Sequence, residues 1–183
     1  STGTRAHTEG LANYHNAFAS IYEGRYLAGI AAGMKLEEAV ATIAATLPVC
    51  SERGVAYSTF TIIRLVNNER AEIIQYDNPK SILLRGGENY ELPVTVSDIG
   101  GKKIMRAEVA LREGDIFIAM SDGVEHAGVG LKYNFGWKRS DIIEFMQSFS
   151  HVGFSAKTLT KILLDEVNRL YDGRPGDDAT VCT

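Results

Sequence analysis

With 183 residues, 45% of them hydrophobic and 23% charged, the chain has the size and composition of one globular domain that buries a single core. Its formal net charge of −4 argues against nucleic acid or an anionic membrane as the main partner. The sequence contains no apolar run of about 20 residues, which would indicate a membrane span, and no secretory signal. We therefore expect the protein in the cytoplasm.

The first part of the chain predicts two packing helices behind a short polar start. We expect residues 1–183 to form one domain, in which residues 1–10 are a poorly defined N-terminal segment. Apolar residues at helical spacing predict a long helix from Leu11 to Met34. A second helix is predicted from Leu36 to Thr46, with acidic residues in its first turn, where negative charge suits the helix dipole.

The middle of the chain predicts a block of strands joined by tight turns. Segments rich in β-branched and aromatic residues alternate there with turn residues such as Asn67-Asn68. The predicted strands are Tyr57 to Val66, Ala71 to Tyr76, Ser81 to Leu84, Lys103 to Leu111, Asp115 to Met120 and, at the end of the chain, Ala179 to Cys182.

Two amphipathic helices are predicted between the last two of these strands, from Arg139 to Phe149 and from Ala156 to Tyr171. Helices, a block of mostly hairpin-linked strands, two more helices and a final strand predict an α+β fold. In such a fold the sheets are mainly antiparallel and the helices lie outside them. Trp137 precedes the first of these helices, and with Phe135 and Tyr133 it is interpreted as core packing in preference to a partner contact.

Two short acidic turns carry most of the functional information. Ser121-Asp122-Gly123 follows an apolar strand, and Gly176-Asp177-Asp178 directly precedes the last one. Carboxylates held at strand ends, beside glycines that let the backbone turn sharply, suit hard cations such as Mg²⁺ or Mn²⁺. The alternative is structural, because Asp-Gly and Gly-Asp-Asp are also common turn and cap sequences.

The order of these segments resembles the PPM-type metal-dependent serine/threonine phosphatases, and within them the stage II sporulation protein E branch. The resemblance runs from about Leu11 to the end of the chain. Its most specific segments are Ile118-Ala119-Met120-Ser121-Asp122-Gly123-Val124 and Pro175-Gly176-Asp177-Asp178-Ala179-Thr180-Val181, supported by Ala56-Tyr57-Ser58-Thr59-Phe60 and Tyr76-Asp77-Asn78-Pro79.

The resemblance implies a β-sandwich flanked by helices, in α-β-β-α layers, with two Mn²⁺ or Mg²⁺ ions in a cleft at one edge. It implies that a metal-activated water hydrolyses phosphoserine or phosphothreonine on a phosphorylated protein substrate. Asp122 and Asp177 match metal ligands of the family, and Asp178 and Gly123 are their neighbours in the expected metal site. His126 is a candidate proton donor to the leaving serine oxygen, although a histidine that only caps the nearby turn is the alternative.

The chain departs from the family at its first motif, a strand that ends in Asp-Gly-x-Gly. No Asp precedes Asp77, and the nearest match is Glu9-Gly10, followed by Leu11-Ala12. Three explanations stay open: the sequence is truncated, Glu9 replaces the bridging Asp, or the protein is a degenerate, non-catalytic member that binds a partner. Because residues 1–8 contain no apolar run, we expect the family's first strands to be lacking, which favours truncation. Without the bridging carboxylate, this chain is expected to hold no metal or one weakly bound ion.

Overall fold

A computed structural model of the protein describes residues 8–11, 35, 36, 38, 40–42, 59–99, 101–131 and 135–183. Its strands are β1 (Thr8–Leu11), β2 (Phe60–Val66), β3 (Arg70–Tyr76), β4 (Ile82–Arg85), β5 (Glu88–Tyr90), β6 (Thr95–Ile99), β7 (Lys102–Ala110), β8 (Ile116–Met120) and β9 (Ala179–Cys182). Its helices with full bounds are α1 (Asp122–Glu125), α2 (Arg139–Ser150) and α3 (Ala156–Leu170). No helix among the described residues is long and apolar enough to cross a membrane.

The strands form two antiparallel sheets. The first sheet has the order β1-β9-β8-β4-β5, and the second has the order β2-β3-β7-β6. Left-handed backbone at Asn67 and Asn68 makes the predicted turn between β2 and β3, where the Glu69 N–H donates to the Val66 carbonyl at 3.0 Å. Asparagine tolerates this conformation better than most residues. The predicted turn at Asn67-Asn68 is confirmed.

Alternating side chains of β8 explain how the layers stack. Ile116, Ile118 and Met120 face the core formed with α2 and α3, whereas Phe117 packs in the cluster between the two sheets. Successive side chains of a strand point to opposite faces, so an unbroken apolar strand covers both cores at once. Leu83 of β4 packs in the inter-sheet cluster in the same way.

A third core lies on the outer face of the second sheet. Residues 36, 38 and 40–42 are helical, and Leu36 and Val40 pack there against Ile74 and Ile104. Helices therefore cover both outer faces of the two sheets, which confirms the expected α-β-β-α layers. The rest of the helix predicted from Leu36 to Thr46 lies outside the described residues, as do residues 12–34 of the longer predicted helix.

Several sequence-based boundaries need correction. Leu11, predicted to begin a helix, belongs to β1, and the expected absence of the first strands is wrong for Thr8–Leu11. The strand forms without an apolar run because its backbone pairs with β9 along all four residues. Strands β5 and β6 were not predicted, since one has only three residues and the other is largely exposed.

The first sheet is tied to the turn before β8 by a buried ion pair. Arg85 Nε donates to Asp115 Oδ1 at 2.9 Å and Nη2 to Asp115 Oδ2 at 2.7 Å, and Nη2 also donates to the Ala110 carbonyl at 2.8 Å. Only 15% of the Arg85 side chain and 4% of the Asp115 side chain are exposed. This bidentate pair fixes the start of the strand that leads to Asp122.

Candidate metal centre

The two acidic turns meet because β8 and β9 are neighbours in the first sheet. Beyond the end of β8, the Ser121 N–H donates to the Thr180 carbonyl at 3.0 Å, and the Thr180 N–H donates to Ser121 Oγ at 2.9 Å. Ser121 Oγ also donates to the Asp178 carbonyl at 3.1 Å. The serine hydroxyl therefore joins the backbones of the two turns, and Asp122 begins the short helix α1 directly beside Asp177.

Three side chains converge at this joint. One ligand atom each from Asp122, His126 and Asp177 lies within 4.8 Å of the other two. His126 Nδ1 is 3.1 Å from Asp177 Oδ2, and the Asp178 N–H donates to Asp177 Oδ1 at 2.8 Å. These contacts fix the orientation of the Asp177 carboxylate between the imidazole of His126 and the backbone N–H of Asp178.

The electrostatics of Asp122 test whether this cluster suits a cation. Partial burial raises the pKa of Asp122, the negative charge of Asp177 raises it further, and His126 opposes the shift. The negative charge of Asp177 therefore disfavours the ionised form of the half-buried Asp122. A divalent cation removes that penalty, and carboxylate oxygens are the donors that suit Mn²⁺ and Mg²⁺. The residues present fit one such ion.

Gly123 lies at the closest approach of α1 to the second acidic turn. A Cβ atom at this position would lie 2.3 Å from the Asp178 carbonyl oxygen. The Tyr171 hydroxyl donates to the Gly123 carbonyl at 2.6 Å. Burial first, and then the charges of Asp177 and Asp122, raise the pKa of Tyr171 to about 12, so that it keeps its proton at neutral pH.

Gly123→Ala is expected to destabilise the protein by about 1–3 kcal/mol, because the added methyl group overlaps backbone and not a movable side chain. Urea unfolding followed by circular dichroism measures the loss. Gly176→Ala is the matched control, because a Cβ there makes an ordinary 3.6 Å contact with the Tyr171 ring. Equal stability of the two variants would contradict the close approach at Gly123.

The backbone of the candidate first motif lies next to this centre in the sheet. In the antiparallel pairing of β1 with β9, Glu9 is opposite Val181, Gly10 is opposite Thr180 and Leu11 is opposite Ala179. The end of β1 therefore reaches the same edge of the sheet as the start of β9. Glu9-Gly10 lies on the strand that pairs with β9, on the side opposite β8.

The structure brings together three of the residues singled out in the sequence, Asp122, His126 and Asp177, whose roles remain predictions. Asp178 contributes its backbone groups to the arrangement, and Gly123 provides the close contact. Sequence reasoning included Ser121 in the first acidic turn without a role of its own, and it missed Tyr171. Ser121 directly precedes Asp122, which was a usable signal, whereas nothing local distinguishes Tyr171 from a packing residue at the end of α3.

Comparison with known proteins agrees with this arrangement. The sequence profile of the Stage II sporulation protein E (SpoIIE) family matches residues 19–183. No curated protein sequence matches the chain significantly.

Solved structures show the same fold at low sequence identity. The phosphatase domain of the cell fate determinant SpoIIE from Bacillus subtilis, presoaked with Mn, is 17% identical with a TM-score of 0.56, and the match covers 100% of this chain and 90% of that one. The Mycobacterium tuberculosis serine/threonine phosphatase PstP/Ppp is 18% identical with a TM-score of 0.56, covering 97% and 85%. The catalytic domain of PstP in complex with 2 manganese ions is 16% identical with a TM-score of 0.52, covering 97% and 84%.

Two antiparallel sheets between helical layers, with acidic turns meeting at one sheet edge, give this chain the fold of the PPM (PP2C) phosphatase domains. The profile match covers more than half of the sequence. The chain belongs to the stage II sporulation protein E family.

Proposed function

We propose that the protein hydrolyses phosphoserine or phosphothreonine on a phosphorylated protein substrate, with Mn²⁺ or Mg²⁺ held by Asp122 and Asp177 and with His126 as the proton donor. The observation that carries the proposal is the convergence of these three side chains within 4.8 Å at the β8–β9 edge. A bound divalent ion would supply a water made more acidic and would stabilise the charge on the transferred phosphoryl group.

The side chains of the centre have separate tasks in this proposal. Asp122 is half-buried and positioned by the start of α1, so it provides a fixed anionic ligand. Asp177 orients the imidazole of His126 through the Nδ1 contact at 3.1 Å. With Nδ1 engaged and 56% of its side chain exposed, His126 can present Nε2 to an incoming substrate. A proton on that atom can pass to the leaving serine or threonine oxygen.

The competing function is that of a phosphatase-like module that recognises a partner without turning over substrate. It is supported by the small ligand set that the described residues offer at the centre. A second ion next to the first would need ligands besides Asp122, His126 and Asp177. Among the described residues, these three are the one group that could hold a metal.

Phosphate release from a phosphoserine peptide, with and without Mn²⁺, tests the proposal. We expect hydrolysis that depends on the metal and stops with a chelator, and little activity on a phosphotyrosine peptide of the same sequence. Isothermal titration with Mn²⁺ in parallel separates metal binding from turnover.

The two functions predict different combinations of results. Metal-dependent hydrolysis supports the enzyme. Manganese binding without hydrolysis, or no binding heat up to millimolar Mn²⁺, would contradict the catalytic proposal and favour the binding module.

A further inference from the structure

A groove separate from the metal centre opens between α2 and α3. Its volume is about 420 Å³. The residues that line it are Trp137, Asp141, Glu144, Phe145, Ser148 and Glu166. It is therefore large enough for one or two side chains of a ligand, at the lower end of the range for binding sites of about 300–1,000 Å³.

One face of α2 forms most of this groove. Asp141, Glu144, Phe145 and Ser148 follow one another at helical spacing and therefore lie on the same side of the helix. The Phe145 ring meets the ring of Trp137 edge-on, with 5.3 Å between ring centroids and an interplanar angle of 69°. The result is an aromatic floor with carboxylates along its rim.

The rim is negatively charged. Of the described residues that line the groove, three carry carboxylates and none is Lys, Arg or His. Asp141 and Glu144 are three positions apart on α2, so their charges repel each other. Glu166 is neutralised in part by Arg169, with Nη2 of the arginine 2.6 Å from Glu166 Oε1. The rim of the groove therefore carries a net negative charge.

Basic residues near the start of α2 do not reverse this charge. Arg139 donates to the Lys80 and Ser81 carbonyls and pairs with Glu91, on the side of β4 and β5. Lys138, which precedes it, is exposed and is not part of the lining.

We propose that this groove docks an arginine-bearing segment of a partner protein. A guanidinium group is planar and can stack on an aromatic ring while donating two parallel hydrogen bonds to a carboxylate. Phe145 beside Glu144 and Asp141 offers both partners in one place. Lysine supplies the charge but not the planar, bidentate contact, so arginine is the better fit.

The groove also lies next to α1, the helix that begins with Asp122 of the metal centre. The Trp137 N–H donates to the Glu125 carbonyl at 2.7 Å, and Glu125 is the last residue of α1. A segment seated on the aromatic floor therefore rests against the residue that anchors α1. The docking itself does not depend on the proposed phosphatase activity.

Fluorescence of Trp137 gives a direct test, because it is the one tryptophan of the chain. The protein is titrated with a capped hexa-arginine peptide, a capped hexa-lysine peptide and a capped hexa-glutamate peptide. We expect a saturable change with hexa-arginine that weakens as salt is added, a weaker response to hexa-lysine and none to hexa-glutamate. Glu144→Gln and Asp141→Asn should each weaken hexa-arginine binding by about three- to tenfold, the size of one partly exposed charge contact.

Two controls locate the binding. Glu113→Gln removes the same charge from an exposed turn between β7 and β8 and should leave the titration unchanged. Asp122→Asn should also leave it unchanged, because the metal centre is a separate site. No saturable response, equal binding of hexa-lysine, or equal weakening by Glu113→Gln or Asp122→Asn would overturn the proposal.

Discussion

Asp122→Asn and Asp177→Asn are each expected to lower the manganese-dependent hydrolysis of a phosphoserine peptide by several orders of magnitude. Each change replaces an anionic oxygen ligand with a neutral amide in a cluster that has three candidate ligands. Loss of one ligand weakens the hold on the ion, and with it the activation of the attacking water. The measurement is the initial rate of phosphate release at saturating Mn²⁺, with Asp165→Asn, on the exposed surface of α3, as the control.

The stability of the same variants separates this loss from unfolding. Because burial and Asp177 raise the pKa of Asp122, the folded state binds a proton at Asp122 more tightly than the unfolded state does. The free energy of unfolding therefore falls as the pH rises from the pKa of Asp122 in the unfolded state through its pKa in the folded state. Ionised Asp122 thus costs stability at neutral pH. Metal-free Asp122→Asn should therefore unfold no more easily than the parent protein. Rates that survive either substitution would refute the proposed centre.

Asp115→Ala is expected to lower the free energy of unfolding by about 2–3 kcal/mol, because it leaves the guanidinium of Arg85 without its counterion. The cost is large since only 4% of the Asp115 side chain is exposed and both of its oxygens accept from Arg85. Urea unfolding followed by circular dichroism measures it.

An exposed ion pair provides the matched comparison for this effect. Lys161 and Asp165 pair across one turn of α3 with 67% and 66% of their side chains exposed, and Asp165→Ala should cost less than about 1 kcal/mol. A double variant, Arg85→Met with Asp115→Leu, should recover much of the lost stability, since it removes both buried charges together. A small effect of Asp115→Ala would mean that water reaches the Arg85–Asp115 pair.

The two acidic turns could be predicted from the sequence because the motif that marks each of them is local. An apolar strand followed by Ser-Asp-Gly, and Gly-Asp-Asp before a strand, each mark a strand end within a few residues. The apolar run before Asp122 was likewise predicted as a strand, and the structure shows that β8 is covered on both faces. Only the family resemblance predicted that both turns lie at one edge of one sheet. Neither segment alone specifies that β8 pairs with β9.

The features that the sequence did not reveal depend on distant or backbone contacts. The partner of Tyr171 is a carbonyl 48 positions away, and that of Ser121 Oγ is a carbonyl 57 positions away. Strand β1 is specified by its backbone pairing with β9 and carries no hydrophobic pattern. Phe135 was interpreted as core packing, yet it is 91% exposed, while Trp137 is buried as expected. Tyr133 lies outside the described residues.

The position of β9 has a consequence for how the protein folds. This last strand lies in the interior of the first sheet, between β1 and β8, and a separation of 57 positions must be closed to join Ser121 to Asp178. The entropic cost of closing a loop of n residues scales as (3/2)RT ln n, which is about 3–4 kcal/mol here. Contacts between the two turns offset this cost only after the loop has closed. Helices α2 and α3 form inside this loop from local contacts and are expected to appear earlier. In refolding experiments, the ability to bind manganese should therefore emerge with the slowest phase, after most of the helical signal has returned.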